Sequence, residues 1–255
     1  MRIHVSLDSP SEPDDANGPV RVGWLLNERR SGVIYEPPRR VRSADSKGTS
    51  AKSASHCPAI VGLESRLFEI LSPFDLRLEF VRDEHGVPCV CNAAGAATSV
   101  KRIDQVVVLA VEDEWRHPER PILQLLLPYI FVADDPVYMS QVAPYLHYRA
   151  ESLPGVTLGG RFPINVWPRP LMWAFEWHDT ERPLVLRRGE PLFYVQFETR
   201  PQDRPIHLVE ARRTDELAEY LELIAGAVNY VNQTFSLFKA AEQRRPRKLL
   251  EPVER

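Results

Sequence analysis

Four side chains of types that bind metal ions stand in two closely spaced pairs in this sequence. Glu176 and His178 stand two residues apart in a segment of alternating apolar residues, so on a strand their side chains would share a face. His117 and Glu119 form a second pair with the same spacing. Two histidines and one carboxylate compose the iron site of non-haem oxygenases, and the same donors bind zinc. The pattern raises the hypothesis of an Fe- or Zn-dependent enzyme that uses His178 with Glu176, or with His117 and Glu119.

A simpler interpretation competes with the metal site at each position. The strand face that carries Glu176 and His178 would be either a barrel lumen or solvent. We expect solvent, because polar residues that alternate along antiparallel strands usually face water. The stretch EDEWRHPER around His117 and Glu119 is typical of a solvated loop. The proline between those two residues also restricts the backbone. On sequence grounds the solvent-facing arrangement is favoured, and the metal site is a hypothesis.

A rigid Trp-Pro-Arg-Pro segment offers a candidate ligand site. Prolines on both sides of Arg169 fix the backbone, and its planar guanidinium suits a carboxylate or a phosphate. In the oxygenase interpretation, Arg188 would take the carboxylate of a 2-oxoacid. We therefore name Trp167, Arg169 and Arg188 as candidate ligand-binding residues. The alternative is that Arg169 pairs with a neighbouring acid and stacks on Trp167, which would make it a structural residue.

Composition and missing motifs narrow the function classes. The sequence contains no P-loop, no Gly-x-Ser-x-Gly, no His-Glu-x-x-His and no dinucleotide fingerprint. A net charge of −3 does not indicate nucleic acid as a partner. The three cysteines, Cys57, Cys89 and Cys91, are an odd number and lack the Cys-x-x-Cys spacing, so we expect reduced thiols. Without an apolar membrane span or an apolar signal-peptide core, a cytoplasmic protein with no membrane partner is expected.

Short strands must position most of these side chains. Residues 76–80 and 87–91 flank a turn and predict a hairpin, and the apolar runs 106–111 and 122–132 predict buried strands. In the segment around Glu176, the alternate residues predict a core face, and they are Leu171, Trp173, Phe175 and Trp177.

Two further segments complete the predicted core domain. Residues 184–186 and 192–197 flank a Gly-containing turn and predict a second hairpin. The chain has 23 prolines and 12 glycines, which favours short elements joined by rigid turns over a helical bundle. We predict a mainly β fold, an antiparallel β-sandwich or jelly roll, over residues 57–212.

The C-terminal part predicts one long amphipathic helix over residues 213–243. Thr214 can cap it, and the apolar residues that follow have heptad spacing: Leu217, Leu221, Ile224, Val228, Val231, Phe235 and Phe238. We expect this face to pack on the protein's own sheet, with a homodimer through the 214–243 helix as the alternative. A basic tail, 244–255, follows.

The N-terminal part predicts little buried structure. Residues 1–36 read as an arm, in which 20–26 and 33–36 could pair as a hairpin. The next stretch, 37–56, is basic and polar with almost nothing to bury, which is typical of a disordered linker. The compact domain is therefore expected to begin at Cys57.

Three segments carry a recognisable pattern: CPAIVGLESRLFEILSPFDLRLEF (57–80), GGRFPINVWPRPLMWAFEW (159–177) and RRGEPLFYVQFET (187–199). Along the chain, the pattern consists of a Cys-Pro start, a Ser-Pro-Phe-Asp turn, a Trp-x-Arg-Pro stretch and a Gly-Glu-Pro-Leu-Phe-Tyr strand. Over residues 57–210 the chain resembles an uncharacterised family of proteins found in tailed phages and in bacteria. The resemblance implies domain limits and no particular chemistry.

These observations favour a ligand- or partner-binding β-rich module without chemistry of its own. The expected partner is a small molecule or a protein. A metal-dependent enzyme resembling the non-haem iron oxygenases is the alternative, and it requires that at least three of the four metal-binding candidates converge on one point.

Overall fold

The computed structural model of the chain describes residues 18–27, 33–42, 53, 56–149, 151–202, 204–227 and 234–254. The strands in these residues are β1 Val20–Leu26, β2 Arg39–Arg40, β3 Leu67–Leu71, β4 Leu76–Arg82, β5 Pro88–Asn92, β6 Val107–Leu109, β7 Ile122–Leu126, β8 Tyr129–Val132, β9 Tyr138–Val142, β10 Gly155–Leu158, β11 Gly160–Pro163, β12 Met172–Trp177, β13 Leu184–Leu186, β14 Pro191–Glu198 and β15 Ile206–Glu210. The α-helices are α1 Pro58–Glu64, α2 Val100–Val106, α3 Asp215–Ala227 and α4 Thr234–Arg244. The prediction of a mainly β protein is confirmed.

The described strands belong to four sheets. Their hydrogen-bonded orders are β15-β1-β8, β10-β12-β7-β6, β11-β9-β14-β3-β2 and β13-β4-β5. Among these strands only β1 and β15 pair in parallel, from Val20 opposite Ile206 to Trp24 opposite Glu210. All other pairs are antiparallel, as expected from short strands joined by turns. The sandwich or jelly-roll arrangement stays a prediction.

Residues from all four sheets join one large core that is rich in aromatic side chains. Trp173, Phe175 and Trp177 of β12 are fully buried in it, so the predicted core face of this strand is confirmed. The rings of Trp173 and Phe175 stack with centroids 5.1 Å apart. Each such side chain stabilises the fold by roughly 1.5–3 kcal/mol relative to its exposed state. The opposite face of β12 carries Glu176.

Strand β1 lies inside the fold and not in a peripheral arm. It pairs with β8 and β15, and its residues Val20, Val22 and Trp24 enter the main core. The predicted hairpin with 33–36 does not form, since those residues are not in a strand. Alternating apolar residues gain more by burial between two long-range partners than by a local turn. Residues 1–17 and 28–32 of the predicted arm lie outside the described residues.

The start of the predicted linker is an ordered sheet edge. Strand β2 pairs with β3, and Val41 is buried beside it. Arg40 donates a hydrogen bond to the carbonyl of Ile206 at 2.9 Å. The structure therefore differs from the expected disorder at 39–41, because main-chain pairing and one buried valine anchor a polar segment. Most of the remaining linker lies outside the described residues, namely 43–52, 54 and 55.

Of the two hairpins predicted within the core domain, one forms and the other does not. β4 and β5 pair across their turn, as predicted. β13 pairs with β4, however, while β14 pairs with β3 and β9. The connecting turn has Gly189 at φ 81°, and its N–H donates to the carbonyl of Ser72. The Ser72 N–H in turn donates to the Glu190 carbonyl, so the turn bonds to the end of β3 and directs the two strands into different sheets.

Within the predicted helix 213–243 the structure describes α3 and α4, and residues 228–233 between them lie outside the described residues, so a single long helix is not confirmed. The apolar face of α3 packs on the outer face of β1 and β8, where Ile130 and Val132 lie. The α3 residues in this second core are Leu217, Tyr220, Leu221 and Ile224. This packing within one chain was the favoured expectation, and dimerisation stays a prediction.

The segment after α4 packs back onto the protein. Leu249 and Leu250 are buried, and the Leu249 N–H donates to the Asp134 carboxylate at 2.6 Å. Arg245 donates to the carbonyl of Asn165 at 2.5 Å. The predicted basic tail thus contributes Leu249 and Leu250 to the second core. The basic residues around these two leucines gave no indication of this packing in the sequence.

Candidate ligand-binding site

The described residues line a half-open cavity of about 510 Å³ between α3, β8 and the Trp-Pro-Arg-Pro segment. Its floor is apolar and includes Ile130, Leu221 and Ile224. Its polar residues are Asn27, Arg169, Arg213 and Glu222. Volumes of 300–1,000 Å³ with mainly apolar walls and a few polar groups are usual for small-molecule sites. Two of the three residues predicted to bind a ligand, Trp167 and Arg169, line this cavity.

Backbone hydrogen bonds hold the Trp-Pro-Arg-Pro segment at both ends. The Trp167 N–H donates to the carbonyl of Pro163 at 2.7 Å, and the Leu171 N–H donates to that of Tyr129 at 2.9 Å. Trp167 itself is buried, with its ring edge-on to Phe238 of α4 at 5.9 Å between centroids. Because the prolines fix the backbone between these anchors, Arg169 is presented to the cavity on a rigid support.

Among the described residues, Arg169 has no charged partner. Within the part of the chain that the structure describes, its guanidinium has neither a hydrogen bond nor an ion pair, and no aromatic ring lies beneath it. Its side chain keeps contact with solvent, yet the surrounding protein atoms desolvate the charge and lower the pKa of Arg169. The alternative of an arginine paired with a neighbouring acid and stacked on Trp167 is therefore not what these contacts show.

The second arginine of the cavity, Arg213, is held in place by Asn27. Arg213 donates to both the main-chain carbonyl and the side-chain oxygen of Asn27, at 2.9 and 2.6 Å. Asn27 follows β1, and its N–H donates to the carbonyl of Pro128 at 2.7 Å. Arg213 thus adds positive charge to the cavity wall, although part of its N–H donors already bond to Asn27.

A smaller cavity of about 270 Å³ adjoins the first. The two share Asn27, Arg169 and Pro170, so Arg169 lies between them. The remaining lining of the smaller cavity is apolar, from Leu126, Leu127, Pro128, Leu171 and Met172. A ligand that reaches Arg169 therefore has apolar surface available on both sides.

Tyr220 links the wall of the site to both helices. Its buried hydroxyl lies 2.7 Å from the carbonyl oxygen of Val166 and 3.0 Å from that of Ala241, so the two oxygens share its single hydrogen as acceptors. Burial raises the pKa of Tyr220 to about 12. The hydroxyl is therefore neutral at ordinary pH and holds α3 against the residue that precedes Trp167.

The third predicted ligand residue lies elsewhere. Arg188 is exposed in the turn between β13 and β14, where its main-chain N–H donates to Asp75 Oδ1 at 2.9 Å. It does not line either cavity. The structure thus brings Trp167 and Arg169 together and leaves Arg188 apart.

Glu176 and His178 are in contact, as their spacing predicted. The His178 Nε2–H group donates to Glu176 Oε1 at 2.7 Å, and Arg116 Nε lies 3.3 Å from Glu176 Oε2. The side chain of Glu176 is only 3% exposed, so the expectation that it faces water was wrong. The reason is the charged loop before β7, whose Arg116 covers this face of β12. His178 remains 37% exposed.

The four metal-binding candidates do not assemble into one site. His117 and Glu119 are exposed, and the His117 ring accepts a hydrogen bond from the Glu119 N–H at 3.2 Å. Among all described residues, no three His, Cys, Asp or Glu side chains are grouped closely enough to hold a metal ion. Glu176 and His178 are therefore a pair without a third ligand.

Sequence reasoning missed Asn27, Arg213 and Glu222, the other polar residues of the cavity. Asn27 and Arg213 are 186 positions apart, so no local spacing joins them. Glu222 follows Leu221 of the predicted apolar seam and looked like a solvent-facing helix residue. The only available signal was the wide apolar face of the helix, which indicated a packed partner but not a cavity.

Comparisons with known proteins give no relative for this chain. No protein-family model, no curated protein and no solved structure matches it. The resemblance to a family from tailed phages and bacteria therefore stays a prediction. Every helix in the described residues is too short or too polar to span a bilayer.

Proposed function

We propose that this protein is a binding module for a small organic anion, taken up in the cavity beside Trp167 and Arg169. One observation carries the proposal: a guanidinium without a described partner stands at the wall of a preformed 510 Å³ cavity. Two neighbouring carboxylate or phosphate oxygens would accept its fork of N–H donors. The module has no chemistry of its own in this proposal.

Desolvation of Arg169 makes an anion the fitting ligand. Protein atoms remove part of the water around the charge, and no described acid replaces it. A bound carboxylate or phosphate compensates for that water with charge-assisted hydrogen bonds, which are about twice as strong as neutral ones. Arg213 lies in the same wall and adds a second positive charge.

The apolar lining indicates that the ligand has more than a charged group. Ile130, Leu221 and Ile224 form the floor beneath the arginines, and Trp167 forms part of the wall. Contact with such surfaces contributes about 25 cal/mol for each Å² of apolar area removed from water. An organic acid with an apolar body fits this lining better than inorganic phosphate.

The metal-dependent alternative rests on one contact. A carboxylate that orients an imidazole, as Glu176 orients His178, is common beside metal-bound histidines. No group of three metal-binding side chains accompanies it in the described residues. The anion-binding module is therefore our conclusion.

Calorimetric titration with 3-phenylpropanoate and with inorganic phosphate tests the proposal. We expect 3-phenylpropanoate to bind the unmodified protein. Arg169→Gln should lower the affinity for 3-phenylpropanoate at least about tenfold, the effect of removing one charge-assisted hydrogen bond. Arg188→Gln is the matched control, since Arg188 is exposed and lines neither cavity. The proposal would be contradicted if neither anion bound. It would also be contradicted if Arg169→Gln and Arg188→Gln had equal affinities for 3-phenylpropanoate.

A further inference from the structure

Glu222 gives the cavity a negative charge of its own. It belongs to α3 and lines the same cavity as Arg169. Among the residues that the structure describes, Glu222 has neither an ion pair nor a hydrogen bond. A site built only for anions would gain nothing from a carboxylate in its lining, because like charges repel.

The helix places this carboxylate at the rim of the cavity. Leu221 and Ile224 are buried and form the floor, while Glu222 and Ala225 are exposed. Residues three apart on a helix share a face, so Glu222 and Ala225 border the opening together. Arg169 is also exposed and comes from the facing Trp-Pro-Arg-Pro segment. The cavity therefore has opposite charges on two separate elements and an apolar floor between them.

These opposite charges do not neutralise each other. Arg169 and Glu222 form no ion pair, although both line one cavity. Each is thus free to bind a ligand group of opposite sign. Arg213, held by Asn27, gives the arginine side of the cavity additional positive charge.

We propose that the ligand is a zwitterion with an apolar body, of the α-amino acid type. Its carboxylate would accept from Arg169, its ammonium group would donate to Glu222, and its side chain would lie on Ile130, Leu221 and Trp167. This inference rests on the proposed function and names the ligand class for the same site. A ligand with only a carboxylate would leave Glu222 without a ligand partner. A ligand with only an ammonium group would be repelled by the two arginines.

Three probes that share a phenylethyl body separate the two charges. L-Phenylalanine carries both, 3-phenylpropanoate only the carboxylate, and 2-phenylethylamine only the ammonium group. Titrated by calorimetry into the full chain, L-phenylalanine is expected to bind at least about tenfold more tightly than either analogue, because a probe that lacks one charged group forgoes a hydrogen bond worth about that factor.

Variants of α3 assign the partner of the ammonium group. Glu222→Gln should weaken L-phenylalanine about tenfold and leave 3-phenylpropanoate equal or tighter, since a repulsive charge is removed. Glu219→Gln is the matched control: Glu219 is exposed on the same helix and does not line the cavity. Circular dichroism of both variants checks that α3 is intact.

The outcomes distinguish this inference from the proposed function. If 3-phenylpropanoate binds as tightly as L-phenylalanine and Glu222→Gln changes neither affinity, the zwitterion assignment is overturned while anion binding stands. If none of the three probes binds, both proposals are overturned. A loss of selectivity confined to Glu222→Gln supports the assignment.

Discussion

At the scale of single residues, the buried carboxylate of Glu176 depends on two neighbours from different parts of the chain. His178 donates to one of its oxygens at 2.7 Å, and Arg116 lies 3.3 Å from the other. The Arg116 interaction does not have hydrogen-bond geometry, so Oε2 has no hydrogen-bond partner among the described residues. The hydrogen bond from His178 is therefore the main compensation for burying this group.

We expect His178→Ala to lower the free energy of unfolding by about 1–3 kcal/mol, since it leaves a buried carboxylate without its best donor. His117→Ala, at an exposed position, should change it by less than about 0.5 kcal/mol. Urea unfolding at neutral pH measures both. Equal stabilities of the two variants would show that Glu176 does not depend on His178.

The same two variants address the metal hypothesis. Native mass spectrometry of protein purified without chelators would reveal an Fe or Zn mass if the metal-dependent alternative held. A stoichiometric metal that disappears only in His178→Ala would revive that alternative. Without such a mass, the Glu176–His178 pair is a structural interaction.

Residue-level prediction from sequence succeeded where the signal was local. Arg169 was selected because two prolines flank it, and the pairing of Glu176 with His178 follows from their spacing on a strand. The burial of Glu176 could not be predicted, because Arg116 reaches it from a loop that is distant in the sequence. For the same reason, Arg213 and Glu222 entered the site only through tertiary packing.

At the scale of elements, α3 supports both the second core and the candidate site. One face of the helix packs on Ile130 and Val132 of β8, and a neighbouring part lines the cavity with Leu221, Glu222 and Ile224. A change in the position of this helix would therefore alter stability and ligand binding together.

Leu217→Ala should lower the free energy of unfolding by about 2–5 kcal/mol, because Leu217 is fully buried on the inner face of α3. Leu223→Ala, on the same helix, should change it by less than about 1 kcal/mol, since Leu223 is 36% exposed. Thermal or urea unfolding compares the pair. A large decrease in stability for Leu223→Ala would indicate that this face is covered, and sedimentation equilibrium would then test for the predicted dimer.

Heptad spacing predicted the buried face of the C-terminal helix. Leu217, Leu221 and Ile224 are buried as expected. The helices described in this segment are α3, up to Ala227, and α4, from Thr234, so a single long helix is not confirmed. A regular apolar seam shows which face is buried and does not by itself set the helix length.

At the scale of the whole molecule, Gly23 of β1 is where distant parts of the chain meet. A Cβ atom there would lie 2.8 Å from Ala211 Cβ and 3.0 Å from Val132 Cγ2, and it would also clash with Leu250. The strand, its neighbour β8 and the C-terminal segment therefore approach closely only because this residue has no side chain.

Gly23→Ala is expected to lower the free energy of unfolding by about 1–3 kcal/mol, because the added methyl group overpacks this region. Gly62→Ala in α1 serves as the control, since nothing lies within 4 Å of its added Cβ. That change should be neutral or stabilising by up to about 1 kcal/mol, as alanine favours the helix. If both variants are destabilised equally, the close approach at Gly23 is not the cause.

The global arrangement exceeded what the sequence could predict. Strand positions such as 171–177 follow from alternation, yet alternation does not tell which strands pair. The turn at Gly189 looks like a hairpin in the sequence, although its flanking strands enter different sheets. Pairing between β1 and β15 joins Val20 with Ile206, which are far apart in the sequence, and no local signal encodes it.

The position of β1 between β8 and β15 has a consequence for synthesis of the protein. β15 emerges from the ribosome about 10–40 s after β1, at elongation rates of roughly 5–20 residues per second. Throughout that interval the Val20–Trp24 segment has one strand edge without its native neighbour. Such edges pair readily with other chains. Chaperones that cover this segment are therefore expected to raise the yield of folded protein in cells.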